Sequence, residues 1–263
     1  MTENILLLAG RVAVITGGLG DIGFAVAEVL AENGATVAIA DIHSADVAAQ
    51  KIGSHPFRYT QVDVADSKEV DDWFSEVSDS LGTPTLVVAN AGLVEIGFGL
   101  RISPESWQRT MDVSLNGAFF TATSGGRRMV DQKLEGRIVL MGSWAAENVH
   151  ADLTAYSVSK AALRMMGKCL ALELAPKGVL LNEVAPGFVN AGLTGKFYEK
   201  DPEEREKGRR LVPVRRLISA RDVALQVLHL CHPDNVHMSG STLLMDGGLS
   251  LMTGREDVAP EDA

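Results

Sequence analysis

Cysteine, proline and aromatic residues are all scarce. The 263 residues include two Cys, nine Pro, three Trp and three Tyr, with aromatics at 5%. Cys169 and Cys231 are far apart and match no metal-ligand spacing, so reduced thiols are expected instead of a disulfide scaffold or a zinc module, which favours a cytoplasmic address. Positive charge is short as well. Lys and Arg number 24 against 34 Asp and Glu, a formal net charge of −10, which argues against a sequence-independent grip on nucleic acid or anionic lipid. No window reaches the roughly eighteen apolar residues of a membrane span. The start has an apolar run only over 5–9, with no basic segment before it, and does not read as a signal peptide. The six histidines show no metal spacing.

Hydrophobic residues make up 46% and charged residues 22%, enough for one large domain with a proper core. Short β-rich runs at 12–16, 36–41, 57–62, 86–89, 137–141, 179–184 and 242–245 alternate with helical patterns at 22–33, 44–51, 67–80, 104–131, 155–175 and 220–231. Ser67 and the Ser103-Pro104 pair read as helix starts. Strands this apolar, each followed by a helix, predict a Rossmann-type, doubly wound, seven-stranded parallel sheet covered on both faces. The domain is expected over 11–250, with 1–10 as an N-terminal extension and 251–263 as an acidic tail. The charged stretch 188–217, with Lys196, Glu199, Arg205, Arg209 and Arg210, reads either as a solvated surface helix or as a substrate lid, because such insertions lie at the ligand-binding edge of open α/β sheets.

Glycine is plentiful, at 26 residues, and its placement carries information. The run Val12-Ala-Val-Ile-Thr16 leads into Gly17-Gly-Leu-Gly-Asp-Ile-Gly23 and then an apolar helix. Glycines there let the backbone approach a pyrophosphate, whose charge the helix N-terminus stabilises. Asp41, at the end of the second strand, can accept hydrogen bonds from an adenosine ribose and repels a 2′-phosphate. No Arg or Lys follows before Lys51, so NAD is expected over NADP. Later, Tyr156 and Lys160 stand four apart on one helix face, thirteen residues after Ser143. A neighbouring ammonium favours phenolate, so Tyr156 could exchange a proton with an alcohol or carbonyl.

With these features in hand, the chain resembles the short-chain dehydrogenase/reductase family from about Arg11 to Leu249. Thr16 to Gly23 is similar to its cofactor turn, Asp63-Val64 to its adenine contact, Asn90-Ala91-Gly92 to its post-strand signature, and Ser143, Tyr156 and Lys160 to its catalytic set. Pro186-Gly187 and Asp246-Gly-Gly248 fall at its nicotinamide loop and C-terminal turn. The resemblance implies Tyr156 as acid/base, Ser143 as holder of the substrate oxygen, and Lys160 on the nicotinamide ribose. It implies cofactor contacts from Gly17, Leu19, Gly20, Asp21, Ile22, Asp41, Ile42, Asp63, Val64, Asn90, Ala91, Gly92, Pro186, Gly187 and Val189, with NAD as cofactor, no metal, and a homotetramer through helices 104–131 and 155–175.

Three positions depart from the family pattern. Asp21 stands where a Gly is usual and is expected to cap the following helix. Ser114 stands where the fourth catalytic residue is an Asn, and its hydroxyl is expected to hold the water of a proton relay. Ala191 replaces a Thr, whose part Asn190 or Thr194 would take. The resemblance places Val94, Glu95, Ile96, Trp144, Glu147, Asn148, His150, Leu153 and Phe188 around a small-molecule substrate. Their polar members favour a sugar or polyol. The apolar ones equally suit 3-oxoacyl, steroid or cyclic ketones. A catalytically idle NAD-binding regulator is the contrasting possibility.

Overall fold

The computed structural model describes residues 6–191 and 201–252. Seven strands form one parallel sheet in the order β3-β2-β1-β4-β5-β6-β7. They are β1 (Val12–Thr16), β2 (Thr36–Asp41), β3 (Arg58–Gln61), β4 (Leu86–Ala89), β5 (Gly136–Met141), β6 (Val179–Pro186) and β7 (Thr242–Met245). The continuous apolar runs of β1, β4 and β5 are buried at every position, as two covered faces require. The third strand is shorter than the expected 57–62, and β6 runs on to Pro186.

Helices α1 (Asp21–Glu32) and α8 (Ala220–Cys231) cover one face through Val26, Leu30, Val223 and Val227. The other face is covered by α3 (Ser67–Leu81), α5 (Gly117–Asp131) and α6 (Thr154–Leu174), which supply Trp73, Phe74, Ala122, Met129, Leu163 and Leu174. Helices α2 (Ala45–Ile52), α4 (Pro104–Met111) and α7 (Pro202–Leu211) complete the set. In α7, Glu206 accepts hydrogen bonds from Arg209 and Arg210, which holds its carboxyl down at about 2. The rest of the expected lid, 192–200 with Thr194, lies outside the described residues, as do 1–5 of the extension and 253–263 of the tail. Leu8 of the extension is buried in the core.

Two local expectations need correction. The cap of α3 is Asp66 and not Ser67: its carboxylate accepts from the backbone N–H of Lys68 at 2.8 Å and of Glu69 at 3.2 Å, and carboxylate caps suit a helix N-terminus. The expected helix over 104–131 is helical throughout, with a π turn over Asp112–Asn116 joining α4 to α5. Asp21 does not cap α1; Gly20 holds that position without a side-chain cap bond, and Asp21, in the first turn, pairs with Lys51 at 3.3 Å. Of the two free thiols, Cys231 is buried, which pushes its pKa up to about 12, whereas Cys169 is exposed.

Candidate active site

The strand order reverses between β1 and β4, which splays the connections that leave their carboxyl ends and opens a crevice there. Gly17 has φ +64°, and a Cβ on it would lie 2.9 Å from Ala91 Cα, so only glycine permits the turn to pass this close to the β4 connection. The Asn90 side chain ties the two together, donating from Nδ2 to the Thr16 carbonyl at 2.9 Å and the Gly17 carbonyl at 3.2 Å. At the end of β2, Asp41 is buried. Its Oδ2 accepts the Leu19 N–H at 3.0 Å, and its Oδ1 lies 2.6 Å from His43 Nδ1. Sequence reasoning missed the His43 contact, although a histidine two residues beyond a carboxylate is a short-range signal.

A cavity of about 170 Å³ opens at the crevice, lined by Ile22, Asn90, Gly92, Val94, Met141, Gly142, Ser143, Tyr156, Lys160, Pro186, Gly187 and Val189. Residues from five separate stretches thus meet at one place. Ser143 follows the end of β5 by two residues in extended conformation, and its Oγ accepts the Ala145 N–H at 3.1 Å, opening the short turn Trp144–Ala146. Lys160 is buried, donates from Nζ to the Met141 carbonyl at 2.7 Å and lies 5.5 Å from the Tyr156 ring centre. Burial lowers its ammonium to about 8, with the Glu183 carboxylate pulling the other way. Loss of solvent raises the Tyr156 phenol, and a hydrogen bond with Ser143 opposes that shift. The depression expected from the sequence is therefore not found: burial is the largest effect on the phenol and raises it.

Ser114 is buried at the centre of the π turn. Its Oγ accepts the Leu93 N–H at 2.9 Å and donates to the Leu93 carbonyl at 3.2 Å. Its single proton is thereby committed to protein, which leaves its second lone pair as the group that could hold a water. Asn116 turns elsewhere, donating to Asp112 at 2.9 Å.

Of the nine residues expected around a substrate, Val94 lines this cavity. Beside it, Trp144 packs edge-on against His150 and Phe188, with ring centres 4.8 and 5.2 Å away. The polar members are engaged with protein. Glu95 accepts from Ser106, Glu147 from Arg164, and Asn148 donates to Ser250 Oγ and the Trp144 carbonyl. Asn190 donates its backbone N–H to Ile218, and the neighbouring Val189 bridges to the same residue.

A second cavity, about 420 Å³, lies at the β2–β3 end among Ile42, Val62, Asp63, Glu69 and Trp73. Asp63 accepts the Ala65 N–H at 3.0 Å and pairs with Arg109 at 3.3 Å, and Val64 is buried. The pieces suit a dinucleotide: an α1 N-terminus without a side-chain cap, an open glycine turn before it, and a carboxylate at the end of β2. Among the described residues, no group of three or more His, Cys, Asp or Glu is placed to hold a metal, and no helix is long and apolar enough to cross a membrane.

The fold and crevice define a nucleotide-binding oxidoreductase. Residues 18–250 match the family model described as enoyl-(acyl carrier protein) reductase. The chain is 32% identical over 248 residues to the 3-oxoacyl-[acyl-carrier-protein] reductase FabG of Aquifex aeolicus, covering 92% of this chain and 98% of that protein. It is 32% identical over 247 residues to the NADP-dependent (R)-specific alcohol dehydrogenase of Lentilactobacillus kefiri, covering 92% and 97%. The crystal structure of gox2181 superposes with a TM-score of 0.88 at 31% identity, covering 96% of this chain and all of that one. The chain belongs to the short-chain dehydrogenase/reductase family, oxidoreductases that use a nicotinamide cofactor on alcohol and carbonyl substrates.

Proposed function

We propose that the protein is an NAD(H)-dependent dehydrogenase/reductase interconverting a secondary alcohol and a ketone, with Tyr156 as acid/base. The observation that carries this is the meeting of Ser143, Tyr156 and Lys160 in one cavity against the glycine-turn wall. The cofactor, when bound, supplies or accepts the hydride. Tyr156 Oη gives the proton to the carbonyl oxygen in reduction and takes it back in oxidation. Ser143 Oγ holds that oxygen, and the Lys160 ammonium favours the phenolate. The uncapped α1 end receives the pyrophosphate. Asp41 receives the ribose, its remaining lone pairs accepting hydroxyl protons, and its charge disfavours a 2′-phosphate, which supports NAD over NADP.

The substrate is read as an apolar cyclic or acyl ketone in preference to the sugar or polyol favoured by composition of the wall. Glu95, Glu147 and Asn148 already have protein partners, whereas Trp144 and Phe188, each next in the chain to a lining residue, form a packed aromatic pair. The 3-oxoacyl substrate in the name of the FabG relative agrees with this choice. Following NADH absorbance against cyclic ketones, 3-oxoacyl thioesters and polyols tests it: apolar carbonyls should turn over fastest, and a preferred polyol would overturn the choice.

A tetramer through α5 and α6 is also proposed. Val158, Met165 and Leu172 recur every seven residues on α6, 41%, 60% and 82% exposed, forming an apolar stripe.

A further inference from the structure

One charged cluster behind the crevice belongs to no step described above. Glu183, in the middle of β6, is buried. Its carboxylate presses on the chain just before Ser143, where a Cβ on Gly142 would lie 1.8 Å from Oε1. It accepts from Arg164 Nε at 2.8 Å and Nη2 at 3.1 Å, and from Thr242 Oγ1 at 2.7 Å. The Arg164 side chain, 10% exposed, uses its other donors on the Ser143 carbonyl, Nη2 to O at 3.2 Å, and on the Glu147 carboxylate. One planar guanidinium therefore grips the buried strand with one edge and both ends of the 143–147 segment with the rest.

Such a pair is an expensive way to fill a core, since apolar residues of similar volume commonly serve as well or better. Its geometry has a more specific use. Tyr156, Lys160 and Arg164 follow one another at four-residue steps on α6. The helix that presents the phenol and the ammonium thus also holds the backbone of the serine, so the separation of Ser143 from Tyr156 is set through one rigid element.

We propose that Arg164, anchored by Glu183, is a positioning residue that fixes Ser143 relative to Tyr156. The proposal rests on the reading of Ser143 as the holder of the substrate oxygen. Arg164 is not among the residues that line the 170 Å³ cavity. It acts by denying the 143–147 segment the freedom to swing, and misplacement on the scale of an ångström is enough to cost a large part of the rate.

The test compares wild type, Arg164→Lys, Glu147→Ala, the double variant Arg164→Met/Glu183→Leu, and Ser143→Ala, by kcat, KM, NADH binding from fluorescence, and thermal melting. The double variant removes both buried charges together. It is expected to melt close to wild type and bind NADH unchanged, with kcat lowered about tenfold or more. Arg164→Lys keeps the charge but lacks the fork, and is expected to recover only part of kcat. Glu147→Ala, an exposed change, should lower kcat severalfold even if the double variant does not fold. Wild-type kcat in Arg164→Lys and Glu147→Ala, with Ser143→Ala inactive, overturns the proposal alone. Full activity in Ser143→Ala overturns the reading of Ser143 and the proposal with it.

Discussion

Lys160 Nζ lies 5.5 Å from the centre of the Tyr156 ring and gives a hydrogen bond to the Met141 carbonyl. The ammonium is held beside the phenol by that bond to the last residue of β5.

That tie has a pH signature. Burial places the folded Lys160 pKa at about 8, below its ordinary 10.5. Below about 8 both folded and unfolded chains carry the charge, and above 10.5 neither does. Between the two, the unfolded chain binds more protons, so this residue makes stability rise with pH in that window. The melting-temperature difference between wild type and Lys160→Met should move in favour of wild type as pH climbs from 8 to 10.5. Carbonyl reduction should fall over the same rise, as Tyr156 loses its cationic neighbour; a flat profile from pH 7 to 10 would contradict this.

Tyr156→Phe removes the proton donor while keeping the ring. Turnover should drop by about 10²–10⁴-fold, and NADH binding, followed by fluorescence, should stay close to wild type. Retained turnover would exclude Tyr156 as the acid/base.

Asp41→Ala removes the acceptor at the end of β2. The KM for NAD should rise about tenfold or more, corresponding to loss of a charge-assisted hydrogen bond, while discrimination against NADP weakens. The same change frees the Leu19 N–H, so the melting temperature should fall too. An unchanged NAD-to-NADP ratio of kcat/KM would count against the assignment.

Ser114→Ala removes the partner of both backbone groups of Leu93, at a part-buried place. A destabilisation of about 0.5–1.5 kcal/mol is expected in denaturant unfolding, with a loss of rate because Gly92, next in the chain, lines the cavity. Ser114→Asn should leave the enzyme active, since an amide can offer both a donor and an acceptor there.

The tetramer is open to sedimentation. Met165→Glu/Leu172→Glu places two charges on the α6 stripe and should convert the assembly to smaller species, whereas a wild type that sediments as a monomer removes the proposal.

Most strands were legible because a parallel sheet buried on both faces demands continuous apolar runs, and the expected runs at 12–16, 36–41, 86–89 and 242–245 coincide with β1, β2, β4 and β7. The glycine turn and the Tyr156/Lys160 pair were legible because both lie within a short stretch of chain. What escaped depends on tertiary contact. Arg164 and Glu183 stand nineteen residues apart on a helix and a strand, and no periodicity links them. Ser106 on Glu95, Arg164 on Glu147 and Ser250 on Asn148 also come from other elements, which is why a polar list suggested a polyol. The π turn left no mark because no residue type in Asp112-Val-Ser-Leu-Asn116 distinguishes it from an α-helical turn, and the contact of Ser114 with Leu93 spans twenty-one residues.

That π turn also absorbs a length. An α-helix advances about 100° per residue, and a π turn, closing its hydrogen bonds one residue further on, advances less, so it takes up one extra residue while the helices on either side stay in phase. A one-residue deletion within Asp112–Asn116 would therefore close the segment to regular α-helix and leave Gly117, Thr121, Ser124 and Gly125 on the same buried side of α5, at the cost of the turn that brings Ser114 to Leu93. The same deletion later in α5 has no such outlet and would turn those residues away from the sheet, so tolerance to length is confined to these five residues.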